Sequence, residues 1–418
     1  ILYPPGVTSV GYGVIQGIAG TGFETSDTRR TRMIQDLSVT RQEIDQVDKQ
    51  IVGLIEKRME LALQVAEYKM STGKPIYDRQ RELEKLDKLG HMASTEFNAK
   101  SVQELFLQIM SVSRRYQYRV IGDQDHIIDK MFTKVQHLEK NADTKVVYAG
   151  VPGAFAETAL VDYFGEAVSG SNVKDFHEVA SYVAEGKADY GVLPIENSSA
   201  GFVNGIYDLL DRFSLSIVGE QMVAVNQCLL GIPGTDLSKV TTVYSHPQGL
   251  MQSKEYLEQT DWKQVSMANT ALSAKKVHDD GDATQVAIAS ERAAKLYGLS
   301  ILNYKLNVSD NNTTRFVIVS KKREYEENAN KVSISFSLPH TCGTLYNILA
   351  HFIFNNVNMT SIESIPLSGK QWEYCFFVDF EGNLGDVDVV NALKGIMAET
   401  ENFRILGCFV SEQENRRN

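Results

Sequence analysis

The 418-residue chain is poor in cysteine, has no excess of positive charge and carries no long apolar run, and each absence removes a class of function. Its four cysteines, Cys228, Cys342, Cys375 and Cys408, lie far apart and form no C-x-x-C pair. That excludes a sequence-recognisable zinc ribbon and a disulfide scaffold, and suits the reducing cytoplasm. Asp and Glu number 53 against 42 Lys and Arg, a formal net charge of −11. A protein that grips nucleic-acid phosphates would show a basic face instead. No apolar run approaches the roughly 18 residues that span a bilayer, so a membrane is not an expected partner either. No internal repeat or low-complexity tract is evident. What is present, 43% hydrophobic and 23% charged residues, can build real cores, and at about 100–200 residues per domain the length allows two to four of them.

Residues 1–32 carry repeated glycine, Pro4 and Pro5, and end in Arg29, Arg30 and Arg32. They read as an upstream extension, disordered or non-native, with the working chain starting at Met33. From Ser38, the residues Ile44, Val47, Ile51, Leu54, Leu61 and Val65 recur at three- and four-residue spacing, which predicts a long helix to about Met70. The run Ser71-Thr-Gly73-Lys-Pro75 stops it. A second helix is expected over 78–90 and a third over 99–121, with the stripe Val102, Leu105, Phe106, Ile109, Tyr116 and Val120. Residues 33–121 are therefore a three-helix, all-α domain. Residues 122–143 are polar and read as a linker. Residues 144–321 alternate short β-rich runs with helical stretches, an α/β domain with a largely parallel sheet. A second linker covers 322–330. Residues 331–413 read β-α-β-β-α-β, the ferredoxin-like α+β arrangement.

In the helical domain Arg58 falls in the apolar seam between Leu54 and Leu61. An unpaired buried cation is costly, so it is a snorkelling side chain, half of a structural ion pair, or an anion ligand. Lys69, 11 residues on, returns to nearly the same face. Arg41 lies 17 residues before Arg58, roughly 25 Å along the axis, too far for one small anion to touch both. If the two serve one site, Arg41 comes from another copy of the chain. Ser113 and Gln117 lie one turn apart, either as pocket residues or as exposed edge residues. Asp78-Arg79-Gln80-Arg81-Glu82 reads as a helix N-terminal turn, with Asp78 well placed near the helix dipole.

The spacing Arg41, Arg58, Lys69, Asp78, Arg81, Glu82, Ser113, Gln117 closely resembles the all-helical chorismate mutases, intertwined dimers in which one arginine crosses from the partner. The resemblance implies a Claisen rearrangement of chorismate to prephenate, which needs positioning and stabilisation of charge on the ether oxygen but no metal or other cofactor. It implies that Arg41, in trans, and Arg58 bind the two carboxylates, that Lys69 and Gln117 donate to the ether oxygen, and that Glu82 holds the ring hydroxyl. Asp78, Arg81 and Ser113 would complete the pocket.

In the α/β segment, Gly150-Val-Pro-Gly153 opens a helix, so its amides are open to an anion. Glu196-Asn197-Ser198-Ser199, Ser245-His246-Pro-Gln248 and Thr314-Arg315-Phe316 lie at strand ends, where open α/β sheets place ligand crevices. His246 alone would more often be a structural histidine than a catalytic one. Together these clusters resemble prephenate dehydratase over about 145–320, a two-lobed fold related to periplasmic ligand-binding proteins. The reaction releases CO₂ and the ring hydroxyl together, so its main need is a positioned acid. The resemblance assigns that role to Thr314, with neighbours expected to polarise its hydroxyl, and a substrate carboxylate to Arg315. Glu196, Asn197, Ser199, Ser245, His246, Gln248 and Phe316 would complete the cleft. Ala154 and Ala156 stand where the family often has hydroxyl residues, a form also seen in dehydratases that accept arogenate, so the substrate choice stays open.

The last segment resembles the ACT regulatory domains. Gly343-Thr344-Leu345 and Glu363-Ser364-Ile365-Pro366 stand where the dehydratases have Gly-Ala-Leu and Glu-Ser-Arg-Pro. The resemblance implies an L-phenylalanine effector held by Gly343, Thr344, Leu345, Glu363 and Ser364, or a dimerisation module with little effector binding. The whole implies a bifunctional enzyme of phenylalanine biosynthesis, a homodimer or tetramer. The alternatives are a mutase fused to an arogenate dehydratase, and a non-catalytic amino-acid sensor.

Overall fold

The computed structural model describes residues 37–121, 126–306, 312–339, 341, 343–366 and 374–412. The expected extension, residues 1–32, lies outside them, as does Cys342. The chain divides into two units, residues 1–58 and residues 59–418. The boundary falls within the first helix, α1, Leu37–Thr72.

In the first unit, α1 presents Ile44, Val47, Ile51 and Leu54 to solvent. In the second unit the same helix continues with Leu61 exposed and buries Ala62 and Ala66. Helix α2, Arg79–His91, is capped by Asp78, whose carboxylate accepts the Arg81 N–H at 3.1 Å. This satisfies one of the donors that a helix start leaves open. Helix α3, Glu96–Ile121, departs from expectation in its buried face. Its covered residues are Met110, Ser111, Ser113, Arg114, Arg115, Gln117 and Tyr118, while Leu105, Tyr116 and Val120 of the apolar stripe stay exposed. Charge pairing by Arg114 to the C-terminal domain makes the polar face the packed one.

Both expected linkers are built into the fold. Strand Thr133–Val135 from the first pairs in parallel with Glu324–Glu326 from the second. Ile128 and Phe132, just before it, bury their side chains in the core of the C-terminal domain. Few apolar residues stand among many charges there, and those few are what anchors the segment.

The α/β domain has two lobes joined by two chain crossings, after Ala224 and before Thr313. The second lobe carries a five-stranded sheet in the order Ser300–Asn303, Cys228–Gly231, Gln285–Ala289, Thr242–Ser245, Lys263–Ser266. The first lobe contributes Ser216–Ala224, Thr313–Ser320, Tyr190–Asn197, Val146–Ala149 and Gly170–Val173, in that order, to a larger sheet. These sheets are mixed, not largely parallel. Thr313–Ser320 returns from the other lobe and pairs antiparallel on both sides, with Tyr190–Asn197 and Ser216–Ala224. Cys228–Gly231 also pairs antiparallel with both neighbours.

The C-terminal domain has the expected β-α-β-β-α-β order, with helices Thr344–Phe354 and Val387–Glu399. Its strands run Met359–Pro366, Tyr374–Glu381, Lys331–Ser337, Glu401–Phe409, all neighbours antiparallel. The last strand then pairs with Ser216–Ala224 and, with the short strand Gly201–Phe202 beside Tyr190–Asn197, this makes one ten-stranded sheet, among the described residues, out of two domains. The core is shared as well: Phe377, Leu406 and Phe409 pack with Leu193, Ile217, Val317 and Val319.

At the junction Gly407 registers against Ile217, and a Cβ on Gly407 would lie 1.9 Å from the Ile217 carbonyl oxygen. Only glycine admits that approach. Gly407→Ala is expected to destabilise the protein by about 1–3 kcal/mol in denaturant unfolding, the usual cost of overpacking. An unchanged midpoint would mean that the two sheets are not joined there.

Candidate active sites

Arg41 and Arg58 stand on the first unit, Arg41 exposed and Arg58 half-buried. In the second unit a cavity of about 400 Å³ is walled by Leu61, Val65, Tyr68, Lys69, Asp78 and Arg81 among others. Lys69 reaches it half-buried, and its ammonium donates to the Ile76 carbonyl. Burial pulls the Lys69 pKa down, with Asp78 opposing. The cavity thus gathers two cations and a carboxylate from the predicted set. Glu82, Ser113 and Gln117 are not among its walls.

Ser113 and Gln117 are nonetheless buried, so the reading of them as exposed edge residues fails. The Ser113 hydroxyl donates to the Ile109 carbonyl at 2.7 Å, and Gln117 Oε1 is buried without a hydrogen-bond partner among the described residues. Glu82 accepts from Arg114 Nη1. The same guanidinium binds Glu399 of the C-terminal domain, Nε to Oε1 at 2.8 Å and Nη2 to Oε2 at 3.2 Å. His351 Nε2 lies 3.2 Å from Glu399 Oε1. Burial pushes the Glu399 carboxyl up, but His351 and Arg114 outweigh it and hold it below the ordinary glutamate range.

In the dehydratase-like domain the tightest constellation surrounds Thr314. Asn197 Nδ2 donates to Thr314 Oγ1 at 2.9 Å and to Asn312 Oδ1 at 2.9 Å. Asn197 Oδ1 accepts the backbone N–H groups of Ser199 and Ala200, each at 3.0 Å. These bonds fix which end of the amide faces the hydroxyl. The loop is stapled a second time by Ser198 N–H to Thr313 O at 2.9 Å and Thr313 N–H to Ser198 Oγ at 3.0 Å. The Thr314 oxygen is thus an acceptor from Asn197, which leaves its own O–H to be given elsewhere.

His246 caps the short helix Pro247–Gln252, its Nδ1 accepting the Gln248 N–H at 3.2 Å. Both are half-buried, as is Glu196, while Ser199 is exposed. Three predicted cleft residues are placed otherwise. Ser245 is fully buried and donates to the Ile288 carbonyl at 2.8 Å, because its strand is interior to the second sheet. Phe316 packs in the hydrophobic core of the first lobe. Arg315 is 6% exposed and held by carboxylates, Nε to Glu220 Oε2 at 2.7 Å and Nη1 to Asp379 Oδ2 at 2.6 Å. The expected substrate-carboxylate role does not suit a guanidinium so occupied.

The glycine turn has an anion of its own. The Gly153 N–H donates to Glu157 Oε2 at 2.5 Å, while Glu157 Oε1 takes Arg292 Nη2 from the other lobe at 3.1 Å. Ser290 Oγ donates to Gly153 O at 2.9 Å and Tyr297 Oη to Pro152 O at 3.0 Å, so this turn is where the lobes are latched.

In the C-terminal domain Gly343 takes a left-handed φ of 82° before helix Thr344–Phe354, a geometry that favours glycine. The Thr344 hydroxyl is committed to the Thr341 carbonyl at 2.9 Å, and Leu345 packs against the domain core. Glu363 is half-buried and Ser364 exposed, on opposite faces of strand Met359–Pro366. The described residues hold no cluster of metal-ligating side chains and no helix long and apolar enough to cross a membrane.

Asn312, Arg114, Glu220 and Asp379 were not singled out from the sequence. Asn312 belongs to the same polar run as Thr314, and the other three are charges that the fold buries. A buried charge needs a partner, these three as much as Arg58.

The family model for chorismate mutase type II matches residues 40–118, and that for prephenate dehydratase matches residues 146–324. A bifunctional chorismate mutase/prephenate dehydratase of Enterobacter agglomerans is 31% identical over 392 residues, covering 90% of this chain and 96% of that one. An arogenate dehydratase/prephenate dehydratase of Arabidopsis thaliana is 35% identical over 285 residues, covering 64% of this chain and 72% of its own. Among solved structures, prephenate dehydratase from Arthrobacter aurescens in complex with L-Phe matches at 28% identity and a TM-score of 0.58, over 65% of this chain and 91% of that one. With both catalytic domains in the same order and nearly the whole length of the relative covered, this chain belongs to the bifunctional chorismate mutase/prephenate dehydratase family.

Proposed function

We propose that the chain rearranges chorismate to prephenate in its helical domain and converts prephenate to phenylpyruvate with Thr314 as the acid. The observation that carries the second step is the Asn197 N–H directed at Thr314 Oγ1 at 2.9 Å. A threonine hydroxyl is a weak acid, and a donor on its oxygen stabilises the charge that develops as the proton leaves. In the reaction the bond between the ring and its carboxylate breaks, its electron pair enters the ring, and CO₂ departs. The ring C–O bond breaks at the same time, and the hydroxyl leaves as water with the proton from Thr314, which solvent then restores. By the resemblance to the dehydratases, Glu196, His246 and Gln248 would complete the cleft around it. A mutase in the same chain supplies prephenate directly and favours it over arogenate, although the Arabidopsis relative carries both activities in its name.

For the mutase step, Lys69 donates to the ether oxygen and Arg81 and Asp78 shape the pocket. Arg58 and a partner-borne Arg41 bind the two carboxylates. The uncovered apolar residues Ile44, Val47, Ile51 and Leu54 on α1, and Leu105, Tyr116 and Val120 on α3, support a dimer built on these helices. An isolated chain would leave them in water. The C-terminal domain is read as an ACT domain that senses L-phenylalanine, the ligand of the Arthrobacter relative.

Given chorismate, the purified protein is expected to form phenylpyruvate, less of it when L-phenylalanine is added. Accumulation of prephenate alone would contradict the dehydratase assignment. Thr314→Ala should lower dehydration by about 10²–10⁴-fold and leave the mutase step intact, as removal of a positioned proton donor does. Arg58→Ala should do the reverse, and loss of both activities in either folded variant would contradict two independent sites. Arg114→Met removes the guanidinium that Glu82 and Glu399 share, leaving Glu399 with His351 alone, and should cost about 3–5 kcal/mol in unfolding free energy. A wild-type midpoint would mean that the bridge is not formed in solution.

A further inference from the structure

Thr314 and Arg315 are neighbours on one strand and project to opposite faces of the sheet. Thr314 meets Asn197, and Arg315 meets a buried cluster of charges. At this point the ladder is regular on the side of Ser216–Ala224, where Thr314 faces Val223 and Arg315 faces Met222, and is broken on the side of Tyr190–Asn197. Arg315 registers against Glu196 and Phe316 against Pro194, so Ile195 is an extra residue, a bulge. Pro194 has no N–H to give to the ladder. Bulges re-aim side chains and sit beside active sites, and here the bulge lies one residue from the hydroxyl that the dehydration needs.

The Arg315 side chain adds a hold on the segment from the opposite face of the sheet. Its Nε is bound by Glu220 at 2.7 Å and its Nη1 by Asp379 at 2.6 Å. Glu220 Oε1 also accepts from Lys331 Nζ and from Ser411 Oγ, each at 2.9 Å, and Asp379 Oδ1 accepts from the Ser333 hydroxyl. Every one of these side chains is buried. Glu220 and Arg315 belong to the dehydratase domain, whereas Asp379, Lys331, Ser333 and Ser411 come from the C-terminal domain or its end. Two cations face two carboxylates, so the cluster is balanced while complete. Arg315 Nη2 is buried with no hydrogen-bond partner among the described residues. Without Asp379 the guanidinium would be held at Nε alone and could turn.

We propose that Asp379 of the C-terminal domain is a positioning residue for dehydration, fixing Arg315 and through it the strand that carries Thr314 beside the bulge at Ile195. The proposal rests on the reading of Thr314 as the acid and adds that the domain assigned to regulation holds the geometry of that acid. It also implies that Arg315 acts on the strand, not on the substrate.

The test is steady-state kinetics of the full chain carrying Asp379→Asn, with chorismate and with prephenate. The expected result is a fall in kcat for prephenate of about tenfold or more, the scale set by small misplacements of a reacting group, with KM within about twofold and the mutase rate unchanged. Asp379→Glu should recover part of the loss. An unchanged dehydration kcat with the mutase retained would overturn the proposal. So would a raised KM at unchanged kcat, which would put Arg315 on the substrate. If Asp379→Asn loses both activities, Ser333→Ala removes a single hydrogen bond to the carboxylate and should give a smaller fall in kcat, and no fall there would overturn the proposal. Full dehydration by Thr314→Ala would instead sink the underlying reading of the acid, whatever Asp379→Asn does.

Discussion

The side chain of Arg315 is the constraint on which most of the second unit turns. It stands on the strand that returns from the far lobe, one residue from Thr314, and it is bound by one carboxylate from each of two domains. Burial alone would push the Glu220 carboxyl up, yet Arg315 and Lys331 outweigh it and keep it below the usual glutamate range. Taking four charges out of water is tolerable only because they meet in pairs with hydroxyl support, and removing one leaves its partner stranded. The cluster therefore specifies how the C-terminal sheet meets the dehydratase sheet. Gly407 against Ile217 and the stacking of Tyr207 on Phe377, with centroids 3.8 Å apart, are the apolar counterparts of the same joint.

A similar arrangement ties the helical domain to the C-terminal domain. Arg114 spans from Glu82 to Glu399, and Arg115 lies with its guanidinium carbon 3.4 Å from the centroid of the Phe354 ring. Both contacts use the polar face of α3 and leave Leu105, Tyr116 and Val120 of its apolar stripe exposed. The C-terminal domain thus touches each catalytic domain through a buried arginine. In one case the arginine adjoins the proposed acid, and in the other it holds a carboxylate from the predicted mutase set. A regulatory domain that binds an effector by differential contacts would find both connections already built.

Much of this was legible in the sequence. Helical periodicity located α1, α2 and α3 closely, because Gly73, Pro75 and the Asp78 cap punctuate them. The β-α-β-β-α-β order of the last domain was readable because its strands and helices each carry one clear hydrophobic period. The cluster around Thr314 was readable because polar residues at strand ends are unusual enough to stand out. What was not legible depended on partners distant in the chain. The resemblance alone made Arg315 a substrate ligand, and nothing local announces Glu220, 95 residues before it, or Asp379 beyond it. Ser245 looked like a cleft residue because its position at a strand end does not reveal that its hydroxyl turns inward to Ile288. The first linker looked like a linker because Ile127-Ile128 and Met131-Phe132 are two short apolar pairs among charges, whose role appears only when the C-terminal core is assembled around them.

The central claim is that the dehydratase sheet and the C-terminal sheet are one cooperative body, held at Arg315. Native-state hydrogen exchange tests it most directly, because amides that open in a single event share one free energy and one denaturant dependence. The amides of Val317 and Val319 in the dehydratase strand and of Ile334 and Phe336 in the C-terminal strand are expected to exchange through the same opening. If the C-terminal amides exchange through a lower-energy opening that leaves Val317 and Val319 protected, the two sheets are separate bodies and the account is contradicted.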